Sequence, residues 1–150
     1  MKLTALLERK NEEIIDEASQ MLSRAHLKHY AASNEEQNKE RIAKLFKLTL
    51  ESVKKHDLIP IMDFAKTLAH ERYKGGFDIQ EVQTAFNVLE EVIWKKITSD
   101  FSPTDYPEAF GLASTVLGAG KQSLAIEYVS LASQKNEMES LDLSRLFRGI

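Results

Sequence analysis

Apolar residues recur at spacings of three and four along almost the whole of this chain. That period belongs to one face of an α-helix, and no run alternates as a half-buried strand would. The three prolines, Pro60, Pro103 and Pro107, fall between or at the head of the periodic runs, so none interrupts a helix from within. A length of 150 residues suits one domain. With 43% hydrophobic and 29% charged residues, such a domain can bury a core and keep its outer faces wet. The pattern therefore predicts an all-α, single-domain bundle of five to six helices, without internal repeats.

The first predicted helix covers residues 3–30. Leu7, Asn11, Ile14, Ala18, Met21 and Ala25 alternate at spacings of four and three along it. A seam so narrow is either a coiled-coil dimer contact or the inner face of a helix lying on its own domain. The second helix, 34–56, buries Ile42, Leu45, Phe46, Thr49, Leu50 and Val53. Ser33 with Glu36 has capping-box spacing at its head. Acids at its start and Lys54 and Lys55 at its end complement the helix dipole. Pairs four apart (Glu35/Lys39, Glu40/Lys44, Glu51/Lys55) mark a solvated face. The third, 60–74, opens on Pro60, whose missing amide proton costs nothing in a first turn.

The glycine pair at 75–76 in "YKGGFDIQEV" ends the third helix and the fourth, 78–98, begins at once. Gly75 or Gly76 supplies the left-handed residue of a helix stop. Asp78 with Glu81 repeats the capping-box spacing, and Phe77 stands where a staple residue would pack back near Val82. Turn chemistry accounts for every residue here without a ligand. After the loop "TSDFSPTDYP", a fifth helix spans 107–136, and a short one is predicted at 140–148 through Leu141, Leu143, Leu146 and Phe147. Gly118 and Gly120 lie inside the fifth helix, where each costs about 1 kcal/mol relative to alanine. A close crossing by another helix, or a kink, would account for them.

Composition removes several classes of chemistry. Without cysteine there is no disulfide, thiolate metal site or thiol nucleophile. The net charge of −3 offers no basic excess for a nucleic-acid backbone, and Lys39, Arg41, Lys44 and Lys47 are interleaved with glutamates. No window approaches the roughly 18 uncharged apolar residues of a membrane span, and the amino terminus lacks a leader's apolar core, so a cytoplasmic protein is expected. "GAGKQS" lacks the first glycine of a phosphate loop and has Gln122 where Ser or Thr should follow the lysine. His26 and His29, three apart, would share a helix face, but no third ligand is spaced to complete a metal set. No nucleophile–base–acid order suggests an enzyme, and no cofactor is expected. The alternative is His70, which on an all-helical chain can serve as a proximal haem ligand in a gas sensor.

The block from Tyr30 to Ile97 resembles the N-terminal domain of the RsbT co-antagonist (RsbRD-type) regulators. The likeness is carried by Tyr30, Asp57 with Pro60, Leu68, Arg72, Gly76-Phe77, Ile79, Glu81, Val82 and the closing "EVIWKKI" with Trp94. It implies a bacterial signal-input domain, non-enzymatic and dimeric, that acts on a signalling protein partner in stress-response or histidine-kinase-linked pathways. It implies a globin-like bundle without haem, and an ion pair between Arg72 and Glu81 across the glycine turn that fixes the angle between the third and fourth helices. In that family a sulfate-transporter-and-anti-sigma-antagonist domain follows the block and supplies the output half of the mechanism.

Overall fold

Buried apolar stripes need partners, and seven helices supply them to one another. The computed structural model describes the backbone of residues 2–148 and the side chains of residues 2–135. Its elements are α1 (Lys2–Arg9), α2 (Asn11–Arg24), α3 (Lys28–Ala32), α4 (Glu35–Lys55), α5 (Ile59–Lys74), α6 (Ile79–Asp100), a 3-10 turn (Pro103–Asp105) and α7 (Tyr106–Arg148). There is no strand among the described residues, so the all-α bundle holds, with seven helices rather than five to six.

The first predicted helix is three. At Lys10 (φ −99°, ψ 14°) the helix is interrupted for one residue, although the amides of Lys10 and Ile14 still reach the carbonyls of Leu6 and Lys10. At His26 the chain leaves the helix altogether, with φ +54°. Histidine is among the residues that enter the left-handed region more readily than most, and His56 ends α4 in the same way at φ +51°. His26 and His29 therefore lie on either side of a break and share no helix face. The seam is also settled: Leu7, Ile14 and Ala18 are fully buried in the domain's own core, with α2 packed on α4 and α6. Lys96 of α6 reinforces that contact by donating to Glu13 (2.9 Å) and Glu17 (2.7 Å) of α2.

The expected Ser33–Glu36 box does not form: Asn34 caps α4, with Gln37 as the reciprocal partner. Ser33 is otherwise engaged: its Oγ donates to the His29 carbonyl (2.9 Å) and accepts from Arg41 Nη1 (2.7 Å). Of the three pairs predicted along α4, Lys55–Glu51 forms, while Lys39 reaches Asp16 of α2 instead.

The fifth helix and the short terminal one are a single α7 of 43 residues. Nothing between 121 and 148 is glycine or proline, so no residue there stops it. At 1.5 Å per residue it is about 64 Å long. The side chains expected to pack the terminal helix (Leu141, Leu143, Leu146, Phe147) lie outside the described residues. α7 packs chiefly on α5 and also on α6. Gly120 permits this approach: a Cβ there would stand 2.8 Å from Phe86 and 3.0 Å from Ile61. Gly118, also expected at a crossing, has nothing within 4 Å.

Candidate functional site

At the α5–α6 turn Gly75 keeps helical angles and Gly76 takes φ +79°, so the left-handed stop belongs to Gly76. The next residue, Phe77, reaches α3 and α4. Its ring stacks on His29 (centroids 4.6 Å apart, planes at 29°) and meets Tyr30 edge-on at 5.1 Å. The guanidiniums of Arg41 from α4 and Arg72 from α5 both lie 5.4 Å from its centroid. Such cation–ring contacts gain strength where water is excluded.

Asp78 and Glu81 form the expected capping box at the head of α6, with the Asp78 amide donating to Glu81 Oε1 at 3.2 Å. The Glu81 carboxylate does more than cap. Its Oε2 accepts from the His29 amide (2.9 Å), and its Oε1 lies 2.7 Å from His29 Nδ1. The expected Arg72–Glu81 ion pair does not form: Glu81 is occupied by His29, and Arg72 Nη1 bonds Glu71 Oε1 at 2.9 Å. Glu81 is 5% exposed. Burial raises its pKa, but hydrogen bonds from the His29 amide and ring and from the Asp78 amide outweigh that and hold it below the ordinary carboxylate value.

Arg72 is buried beneath this layer, while Glu71, its partner, is 69% exposed at the side chain. Arg41 bonds two neutral oxygens, Ser33 Oγ (2.7 Å) and Asn38 Oδ1 (3.3 Å). Burial, and then the neighbouring charge of Arg72, lower its pKa from arginine's ordinary value. On the α7 side, the Tyr128 hydroxyl donates to the Phe77 carbonyl at 3.3 Å, and burial pushes its pKa up to about 12.

The structure thus brings together Tyr30, Arg72, Gly76, Phe77 and Glu81, spread over 52 positions of sequence (81 − 30 + 1). It leaves Pro60 at the second position of α5, and Trp94 on the outside of α6, 41% exposed against Phe110. His70 also stands apart. It is exposed, and its Nε2 lies 2.8 Å from Glu127 Oε1 of α7. A solvent-exposed imidazole already held by a carboxylate does not fit a proximal haem ligand. Sequence reasoning missed His29, Arg41 and Tyr128. In the sequence His29 is half of a histidine pair without a third ligand and Arg41 one base interleaved with glutamates; only the arrival of Phe77 from elsewhere gives them a role. Neither a protein-family model nor a curated protein matches this chain.

Proposed function

We propose that this chain is a non-enzymatic bacterial signal-input domain of the RsbRD type, which works by associating with a second copy of itself and with a signalling protein. The likeness over Tyr30–Ile97 supports the reading, because five of its motif residues, Tyr30, Arg72, Gly76, Phe77 and Glu81, converge on one cluster that ties α3, α4, α5 and α6 to a single turn. Such a cluster is suited to setting helix angles, not to transforming a substrate.

The observation that carries the association is α7. Between Ala109 and Gln134 it holds two charged residues, Lys121 and Glu127, in a chain that is 29% charged. Both are engaged by the domain: Lys121 donates to Asn87 (3.0 Å) and Glu127 pairs with His70. The outward face that remains is uncharged and includes Ile126 (62% exposed) and Val129 (64% exposed). An exposed apolar face rimmed by polar residues is the usual mark of a protein contact. With Leu7, Ile14 and Ala18 of the α1–α2 seam consumed internally, this face is the dimerisation surface the reading favours.

Sedimentation velocity tests it. The wild type sediments as a concentration-dependent dimer, and Ile126→Glu with Val129→Glu as a monomer of unchanged helicity and melting temperature. A wild type that stays monomeric at the highest concentration reached would overturn the dimer reading.

A further inference from the structure

A groove of about 190 Å³ runs between α4 and α5 beside the Phe77 cluster. Its walls carry three cations, Arg41, Lys44 and Arg72, and two carboxylates, Glu40 and Glu71. We propose that this groove binds a small oxyanion, a carboxylate or a phosphate, between the guanidiniums of Arg41 and Arg72.

Arg72 supplies the first argument. Its side chain is 7% exposed, and its Nε is the one buried side-chain polar atom without a hydrogen-bond partner among the described residues. Buried donors are almost always paired, and a guanidinium presents its donors as a planar fork that matches an oxyanion. The carboxylate that does reach Arg72 is Glu71, whose side chain is 69% exposed and free to swing into water.

The second argument is independent of Arg72's burial. Arg41 shares the Phe77 ring with Arg72, and its two hydrogen bonds go to uncharged oxygens. Two like charges converging on one ring repel each other, and the carboxylate nearest both, Glu71, is largely exposed, so an anion lying between them would offset that repulsion more fully. Stacking on aromatics accounts for the placement of both guanidiniums, Arg72 over Phe77 and Arg41 over Phe77 and Tyr30 (5.6 Å). It leaves the unpaired Arg72 Nε unexplained.

The volume limits the ligand to a few heavy atoms beyond the anionic group. With Glu40 and Glu71 on the walls the lining sums to one net positive charge, so Glu71 acts as a stand-in that the ligand displaces. The inference rests on the sensor reading only for what binding accomplishes; the binding is measurable by itself.

Thermal melts and calorimetric titrations with inorganic phosphate in one arm and succinate in the other, each at ionic strength matched with chloride, test the groove. A saturable rise in melting temperature with either probe supports it and identifies the anion class. Arg41→Gln, less buried than Arg72 and therefore the safer substitution, weakens that binding by about tenfold or more. Glu71→Gln, which removes the competing carboxylate, tightens it. No saturable response to either probe, or an unchanged affinity in Arg41→Gln, overturns the proposal. The sedimentation of Ile126→Glu with Val129→Glu is unaffected by that outcome, so failure of the groove and failure of the dimer are told apart.

Discussion

Gly118 and Gly120 stand two residues apart in α7 and face opposite surroundings. A side chain at Gly120 would collide with Phe86 and Ile61, whereas one at Gly118 would meet open space. Helix propensity favours alanine at both by about 1 kcal/mol. Overpacking a tight contact costs about 1–3 kcal/mol, which decides the sign at Gly120. Gly118→Ala should therefore raise the urea midpoint, and Gly120→Ala should lower it, in the same two-state measurement. The sequence flagged both as costly exceptions inside a helix; which of them marks the crossing depended on a neighbour more than 30 positions away. The glycine stop at 75–76 was more legible, because a left-handed helix stop followed by an acidic cap is a local matter, but that Gly76 and not Gly75 takes it was decided by the structure. Arg72 was legible as a motif residue but not in its partner, since Glu71, adjacent in sequence, reaches it while Glu81 turns to His29.

Helix starts show how far an element can be read by itself. α6 announces itself through Asp78 and Glu81. For α4 the spacing pointed to Ser33 with Glu36, but Ser33 is engaged by Arg41 and the neighbouring Asn34 caps the helix. α5 has no side-chain cap at Leu58. Two of its free amides are met from outside the helix: Asp57 Oδ1 accepts from Ile59 (3.0 Å), and Ser52 Oγ of α4 accepts from Ile61 (3.1 Å) in the core. A buried amide left without its acceptor costs about 1–3 kcal/mol. Ser52→Ala should cost that much in chemical denaturation, more than an exposed serine would, and should speed amide hydrogen exchange in the first turn of α5. Nothing in the sequence around Ser52, a small residue on an amphipathic helix, distinguishes it from a solvent-facing serine. The continuous α7 is the converse case, since the absence of any breaker after Gly120 was visible and the predicted interruption near 136–140 had no residue to cause it.

On the scale of the whole molecule, Glu81 joins the short α3 to the head of α6 across the turn that also holds Phe77 against α4 and α5. Its pKa is lowered in the fold from an ordinary value of 4.5. The unfolded chain thus binds the proton more readily, and folding stability rises with pH through this window. The contribution is fully present above about pH 4.5 and is lost as pH falls through the lower folded value. Denaturation midpoints followed from about pH 6 down to about pH 3 should fall for the wild type. Glu81→Gln should begin less stable at the upper end and show a shallower acid limb. If both proteins lose stability in parallel over that range, Glu81 carries no linked proton and the His29 contact is weaker than its geometry.

What the sequence determined by itself was what periods and neighbours govern: the helical class, the buried face of α4, a glycine stop at 75–76 and the Asp78 cap. These follow from contacts within about one helical turn, where spacing alone fixes which side chains meet. Tertiary structure decided the rest: that the amino-terminal seam is spent inside the domain, that α5 borrows its cap from α4, and that one phenylalanine gathers two arginines and a histidine from three helices. Those outcomes depend on which surfaces close on each other in three dimensions, and no local spacing encodes that choice.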